Sequence, residues 1–235
     1  MRTIGLIGGM SWESTLLYYQ IINRQVSQRL GGLHSARILM HSLDFGEVVR
    51  GQRAGDWDAL GSLLVNAARG LESAGADCLL ICTNTMHKLA AEVGAAVRIP
   101  LLHIADVTGR AIQSQGLSKV SLLGTCYTIE QPFYTEHLAS MGIECIVPPA
   151  AQRDEVHRII FEELCLGQVL ERSRKRLRGI AAEQMAAGAQ GVILGCTELP
   201  LIIGDEQLGC PSFDTTRLHA QAAVDFAVSA TPEGP

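Results

Sequence analysis

The sequence predicts an α/β protein of two pseudo-symmetric domains, each a parallel sheet flanked by helices, with the active site in the cleft between them. Three observations carry this. Short apolar runs alternate with longer amphipathic segments, the order that builds parallel sheets. That order then begins again: "KVSLLGT" (119–125) matches "TIGLIGG" (3–9), and "GAQGVILGCTE" (188–198) matches "GADCLLICTNT" (75–85). The two pairs are displaced by nearly the same interval, which marks an internal duplication. Finally, the chain is 47% hydrophobic but only 5% aromatic, so its core is aliphatic, as in sheets covered by helices. In such sheets ligands bind at the carboxyl ends of the strands.

The elements follow in order. "TIGLIGG" is a buried strand ending in a glycine turn, and "TLLYYQIINRQVSQRL" has helical periodicity, with Ser11 or Ser14 as its cap. "ARILMHSLDF" is a second strand. "DWDALGSLLVNAARGLESAG" is a helix stopped at Gly75. "ADCLLICT" is a buried strand, "HKLAAEVGAAV" a helix, "IPLLHIAD" a strand and "VTGRAIQSQG" a helix. The second half repeats the scheme, and "FDTTRLHAQAAVDFAV" closes it with a strand end and a helix. The tail "SATPEGP" has turn composition and is expected to fray.

With 235 residues the chain can bury a substantial core. A net charge of −5 argues against a nucleic-acid partner. The one basic concentration, "RSRKRLRG" (172–179), fits a solvated helix face. Seven cysteines, an odd number, and no signal peptide before "MRTIGLIGG" indicate reduced thiols and a cytoplasmic location. No apolar run approaches the roughly 20 residues that span a bilayer, so no membrane partner is expected.

The repeat also sets the register of the two polar strand ends. Aligning Gly75-Ala76 with Gly188-Ala189 places Thr83 against Cys196, and Cys82 against Gly195. Consecutive strand residues point to opposite faces, so Thr83 and not Cys82 is expected to enter the cleft. Cys196 lies at a strand-to-helix turn in "GCTE", where backbone N–H groups stabilise an anion and lower a thiol pKa. A buried inert cysteine is the competing reading. Asn84, Thr85 and Thr197 stand at helix entrances, where they can cap, bind a ligand, or both. No nucleotide-binding glycine motif, zinc spacing or nucleophile elbow occurs, so no metal is expected. Cys78, Cys82 and His87 are near in sequence but do not converge as a zinc site, and His34, His41, His103, His137, His157 and His219 are scattered and read as structural or surface residues.

These motifs, "CTNTMH" and "GCTE", together with "IGLIGGMSWEST", "DFGEVVRGQRAGDWD" and "IIFEELCLGQ", resemble the aspartate/glutamate racemase superfamily. The resemblance spans nearly the whole chain and favours the YgeA-like, broad-specificity amino-acid racemase branch. It implies α-proton abstraction and return without pyridoxal phosphate or any other cofactor. It also implies two catalytic cysteines, of which the first is Thr83 here. Cys196 is then the main base and Thr83 the weak donor or relay. The same resemblance assigns Met10 and Ser11 to the first glycine loop. It puts Asn84, Thr85, Thr197 and Glu198 in the substrate site, and Gln52 near where relatives carry a carboxylate-binding arginine. Cys165 stands where some aspartate-specific relatives have lysine. A neutral or mixed range of side chains follows. The domains it implies are 1–105 with 209–235, and 106–208, in a homodimer acting on a small amino acid. Two other readings compete: a one-cysteine decarboxylase or isomerase of dicarboxylates, and a non-catalytic amino-acid-binding protein.

Overall fold

The computed structural model describes residues 1–204 and 208–229; the tail expected to fray lies, from residue 230 onward, outside them. The chain divides into two compact units, Met1–His103 with His219–Pro235, and Ile104–Leu218.

In the first unit β1 (Ile4–Gly8) is the middle strand of a parallel sheet. Its neighbours are β2 (Ile38–Ser42) and β3 (Cys78–Ile81). Both β1 and β3 are wholly buried, as strands covered on both faces must be. Side chains alternate between two cores. Ile7, Leu79 and Ile81 pack with Leu60, Leu64, Ala67 and Leu71 of α3 (Trp57–Ser73). Ile4, Leu6, Cys78, Leu80 and Cys82 pack with Tyr18, Ile22 and Val26 of α1 (Trp12–Leu30). Ser11 is the cap of α1, accepting from the Ser14 N–H.

Three segments differ from the linear reading. "FGEVVRGQRA", left unassigned, is α2 (Phe45–Ala54), capped by the Asp44 side chain and stopped at Gly55 with φ 70°. "IPLLHIAD" is not a full strand: Leu101 makes one bridge to Leu79. Pro100 has no N–H to extend the ladder, and the chain enters α5 (Ile104–Ser114) three residues after Leu101. "HKLAAEVGAAV" becomes a 3₁₀ turn (Thr85–Leu89) and α4 (Ala90–Ala95).

The second unit holds a four-stranded parallel sheet in the order β5-β4-β6-β7. Its strands are β4 (Lys119–Leu123), β5 (Glu144–Ile146), β6 (Val192–Leu194) and β7 (Ser212–Asp214). Around them lie α5, α6 (Cys126–Ile129), α7 (Pro132–Ser140), α8 (Ala150–Glu162) and α9 (Glu171–Ala186). The basic run is part of α9; Arg176 pairs with Glu155 and Glu183, on a partly exposed face as expected. The last helix, α10 (Thr215–Val228), begins in this unit and ends in the first. Among the described residues no helix is long and apolar enough to cross a membrane.

The two units repeat one topology, with the duplicated register intact. Ile7 pairs with Ile81 in the first sheet, and their sequence equivalents, Leu123 and Leu194, pair in the second. The next N–H bonds the same way in each: Cys82 to the Ile7 carbonyl at 2.9 Å, Gly195 to the Leu123 carbonyl at 2.7 Å. Thr83 and Cys196 therefore each lie two residues beyond equivalent strand pairs.

Candidate active site

In the first unit the site residues gather at the carboxyl ends of β1 and β3. Cys82 continues the alternation of β3 into the core against α1 and is fully buried; burial pushes its thiol pKa up. The half-buried Thr83 is the next residue. Both of its backbone groups are tied. Its N–H donates to the Ile81 carbonyl at 2.8 Å, and its own carbonyl lies 2.8 Å from Nδ1 of His87. Asn84 and Thr85 follow, both buried, at the entrance of the 3₁₀ turn. Gln52, buried on α2, donates from Nε2 to the Met86 sulfur at 3.3 Å. Met86 shares a core cluster with Met10. One cluster thus ties Gln52, Met10 and the turn after Thr83 together. Ser11 is committed to the α1 cap, its carbonyl also accepting from the Ser14 and Thr15 hydroxyls.

In the second unit Cys196, Thr197 and Glu198 follow β6 after Gly195, all three buried. The Cys196 thiol donates to Oε2 of Glu198 at 2.9 Å, and the Thr197 hydroxyl donates to the same oxygen at 2.9 Å. The expected backbone donor is present: the Glu198 N–H favours the thiolate. It is outweighed. Burial raises the Cys196 pKa most, followed by the Glu198 charge and the neighbouring Cys165, so the group rests well above an ordinary thiol. At neutral pH Cys196 is a thiol whose proton already points at a carboxylate.

Sequence reasoning passed over two features. His87, considered in the sequence only as a poor zinc ligand beside Cys78 and Cys82 and as the end of "CTNTMH", grips the Thr83 carbonyl; its spacing of four residues from Thr83 was the available signal. Thr125 and Thr128 pair hydroxyls at 3.2 Å beyond β4. The repeat could have found Thr125, because it stands where Gly9 stands after β1.

Comparison with known proteins identifies the family. A candidate Asp/Glu racemase from Yersinia pestis superposes with a TM-score of 0.91 at 50% identity, covering 97% of this chain and 100% of that one. An aspartate racemase homologue from Pyrococcus horikoshii OT3 gives 0.84 at 34% identity, over 97% of this chain and 100% of the other. The broad specificity amino-acid racemase RacX of Bacillus subtilis (strain 168) is 24% identical over 225 residues, 94% of this chain and 96% of that protein. The family model for Asp/Glu/hydantoin racemases matches residues 7–223, and the chain, with its duplicated sheets and its polar strand ends, belongs to that family.

Proposed function

We propose that the protein is a cofactor-independent racemase or epimerase of free amino acids, acting on Asp, Glu or a related amino acid such as homoserine. The observation that carries this is the Cys196–Glu198 pair at the end of β6, together with Thr83 at the equivalent position after β3. Glu198 accepts the thiol proton, and the Cys196 thiolate takes the α-proton of one enantiomer. The C–H electron pair passes to the substrate carboxylate side. A buried thiolate is costly to form, and for the same reason it is a strong base once formed. Thr83 serves the other enantiomer as donor or relay, a role a hydroxyl fills more weakly than a thiol. The two enantiomers are therefore handled at unequal rates.

Asn84, Thr85 and Thr197 supply short polar contacts for the substrate carboxylate and the developing negative charge. Gln52 is neutral where a cation would demand a second carboxylate, which supports a YgeA-like, broad-specificity reading, as the RacX match also suggests. A second reading draws on the same thiol. A protonated Cys196 also suits delivery of a proton to an enediolate in a dicarboxylate decarboxylase or isomerase.

The test is α-proton exchange in deuterated water without pyridoxal phosphate, with each enantiomer of Asp, Glu and homoserine, followed by NMR. Exchange with inversion that Cys196→Ser abolishes is the expected result. Binding without exchange for every amino acid would move the assignment to the second reading or to a binding protein.

A further inference from the structure

We propose that His87 is a positioning residue for Thr83, and that the surrounding histidine cluster exists to hold it in one tautomer and one orientation. The inference deepens the racemase reading and rests on it for its kinetic consequence. The Thr83 carbonyl can only accept, so the contact at 2.8 Å requires a proton on Nδ1 of His87. With the Thr83 N–H held by Ile81, the peptide groups on both sides of the Thr83 Cα are fixed. The direction of its hydroxyl follows from that backbone. Thr83 lies just beyond the regular strand, where no ladder would otherwise hold it.

The ring of His87 is itself supported. It is buried, and it makes edge contacts with His103 at 4.7 Å and His219 at 5.5 Å between centroids. His219 is fixed in turn. Its Nε2–H donates to the Leu102 carbonyl at 2.7 Å, which leaves Nδ1 to accept from the Tyr18 hydroxyl at 2.9 Å. Support runs from α1 and α10 through two imidazoles to one carbonyl, all within the first unit. An apolar side chain would fill the same volume without directing that carbonyl.

Three variants separate positioning from packing. His87→Asn keeps an amide donor near the Nδ1 position, His87→Gln moves it to the Nε2 position, and His87→Leu removes it. Imidazole ¹⁵N NMR of the unaltered protein should show the Nδ1–H tautomer. Amide exchange at Thr83 and Asn84 should quicken in the Gln and Leu variants and stay near the original in Asn. In the deuterium assay, Gln and Leu should slow the enantiomer served by Thr83 by about tenfold, the scale of a modest misplacement. The other enantiomer should change little, and Asn should restore the ratio. Equal slowing of both enantiomers in step with a lower Tm, or Asn and Gln behaving alike, would overturn the proposal. If the unaltered protein exchanges no amino acid, the racemase reading has failed; amide protection still decides whether His87 holds the turn.

Discussion

At Oε2 of Glu198 two donors converge, the Cys196 thiol and the Thr197 hydroxyl. Glu198→Gln removes the proton acceptor, so exchange should fall by about a hundredfold, within the range of a lost general base. The same change removes a charge that raises the thiol pKa. The Cys196 ionisation, read by thiolate absorbance against pH, should therefore move down as activity falls. Activity that survives the substitution would show that the carboxylate only accepts a static hydrogen bond. Thr83→Cys restores a thiol at the equivalent position; it should raise exchange and bring the two enantiomers closer together. An unchanged ratio would mean that the side chain at 83 takes no part. How much of this was legible is uneven. The equivalence of Thr83 and Cys196 could be read from the repeat, because a duplicated register is a property of the linear sequence. The thiol-to-carboxylate contact could not. A spacing of two residues beyond a strand does not say which way either side chain turns, and so the sequence reading gave the backbone more influence over the thiol than burial allows.

The strand-to-turn junctions show why particular small residues stand there. A Cβ on Gly195 would lie 2.4 Å from Cδ1 of Leu122 and 3.0 Å from the Leu123 carbonyl oxygen. Gly195→Ala should destabilise the protein by about 1–3 kcal/mol, the usual cost of overpacking, and loosen the bond from Gly195 to Leu123. The denaturant midpoint checks this; an unchanged midpoint would mean that β4 and β6 separate freely. The equivalent position after β3 is Cys82, whose side chain points into the core instead. Strands β1, β3, β4 and β6 were readable because continuous apolar runs between turn signals leave few alternatives. α2 was not, since Gly46 and Gly51 interrupt its pattern. The structure explains Gly51: a Cβ there would press on Leu60 of α3 at 2.9 Å. The glycine is a packing requirement that resembles a helix breaker. "IPLLHIAD" misled in the opposite sense, an apolar run whose last residues serve a helix.

For the molecule as a whole, His219 links folding to pH. Its burial holds the folded pKa near 3, against an ordinary 6.5. Between those values the unfolded chain binds a proton that the folded chain refuses. The sign is then fixed: stability from this group is complete above about pH 6.5 and is lost as pH falls toward 3, by about 1.4 kcal/mol per unit. Chemical denaturation at pH 7 and pH 5 should show the loss, and His219→Gln should flatten it. A slope unaltered by the substitution would assign the acid sensitivity to other groups. The same residue sits on α10, whose Ala220, Ala223, Val224 and Ala227 complete the core beside β1, and whose Ala227 carbonyl takes the Arg2 N–H at 3.0 Å. Because that helix follows the whole second unit in the chain, the first unit must wait until the second has been synthesised before its core is closed. During translation its strands are made early but stay uncapped, and a stop codon ahead of α10 would have its consequence among residues far upstream, in the core beside β1.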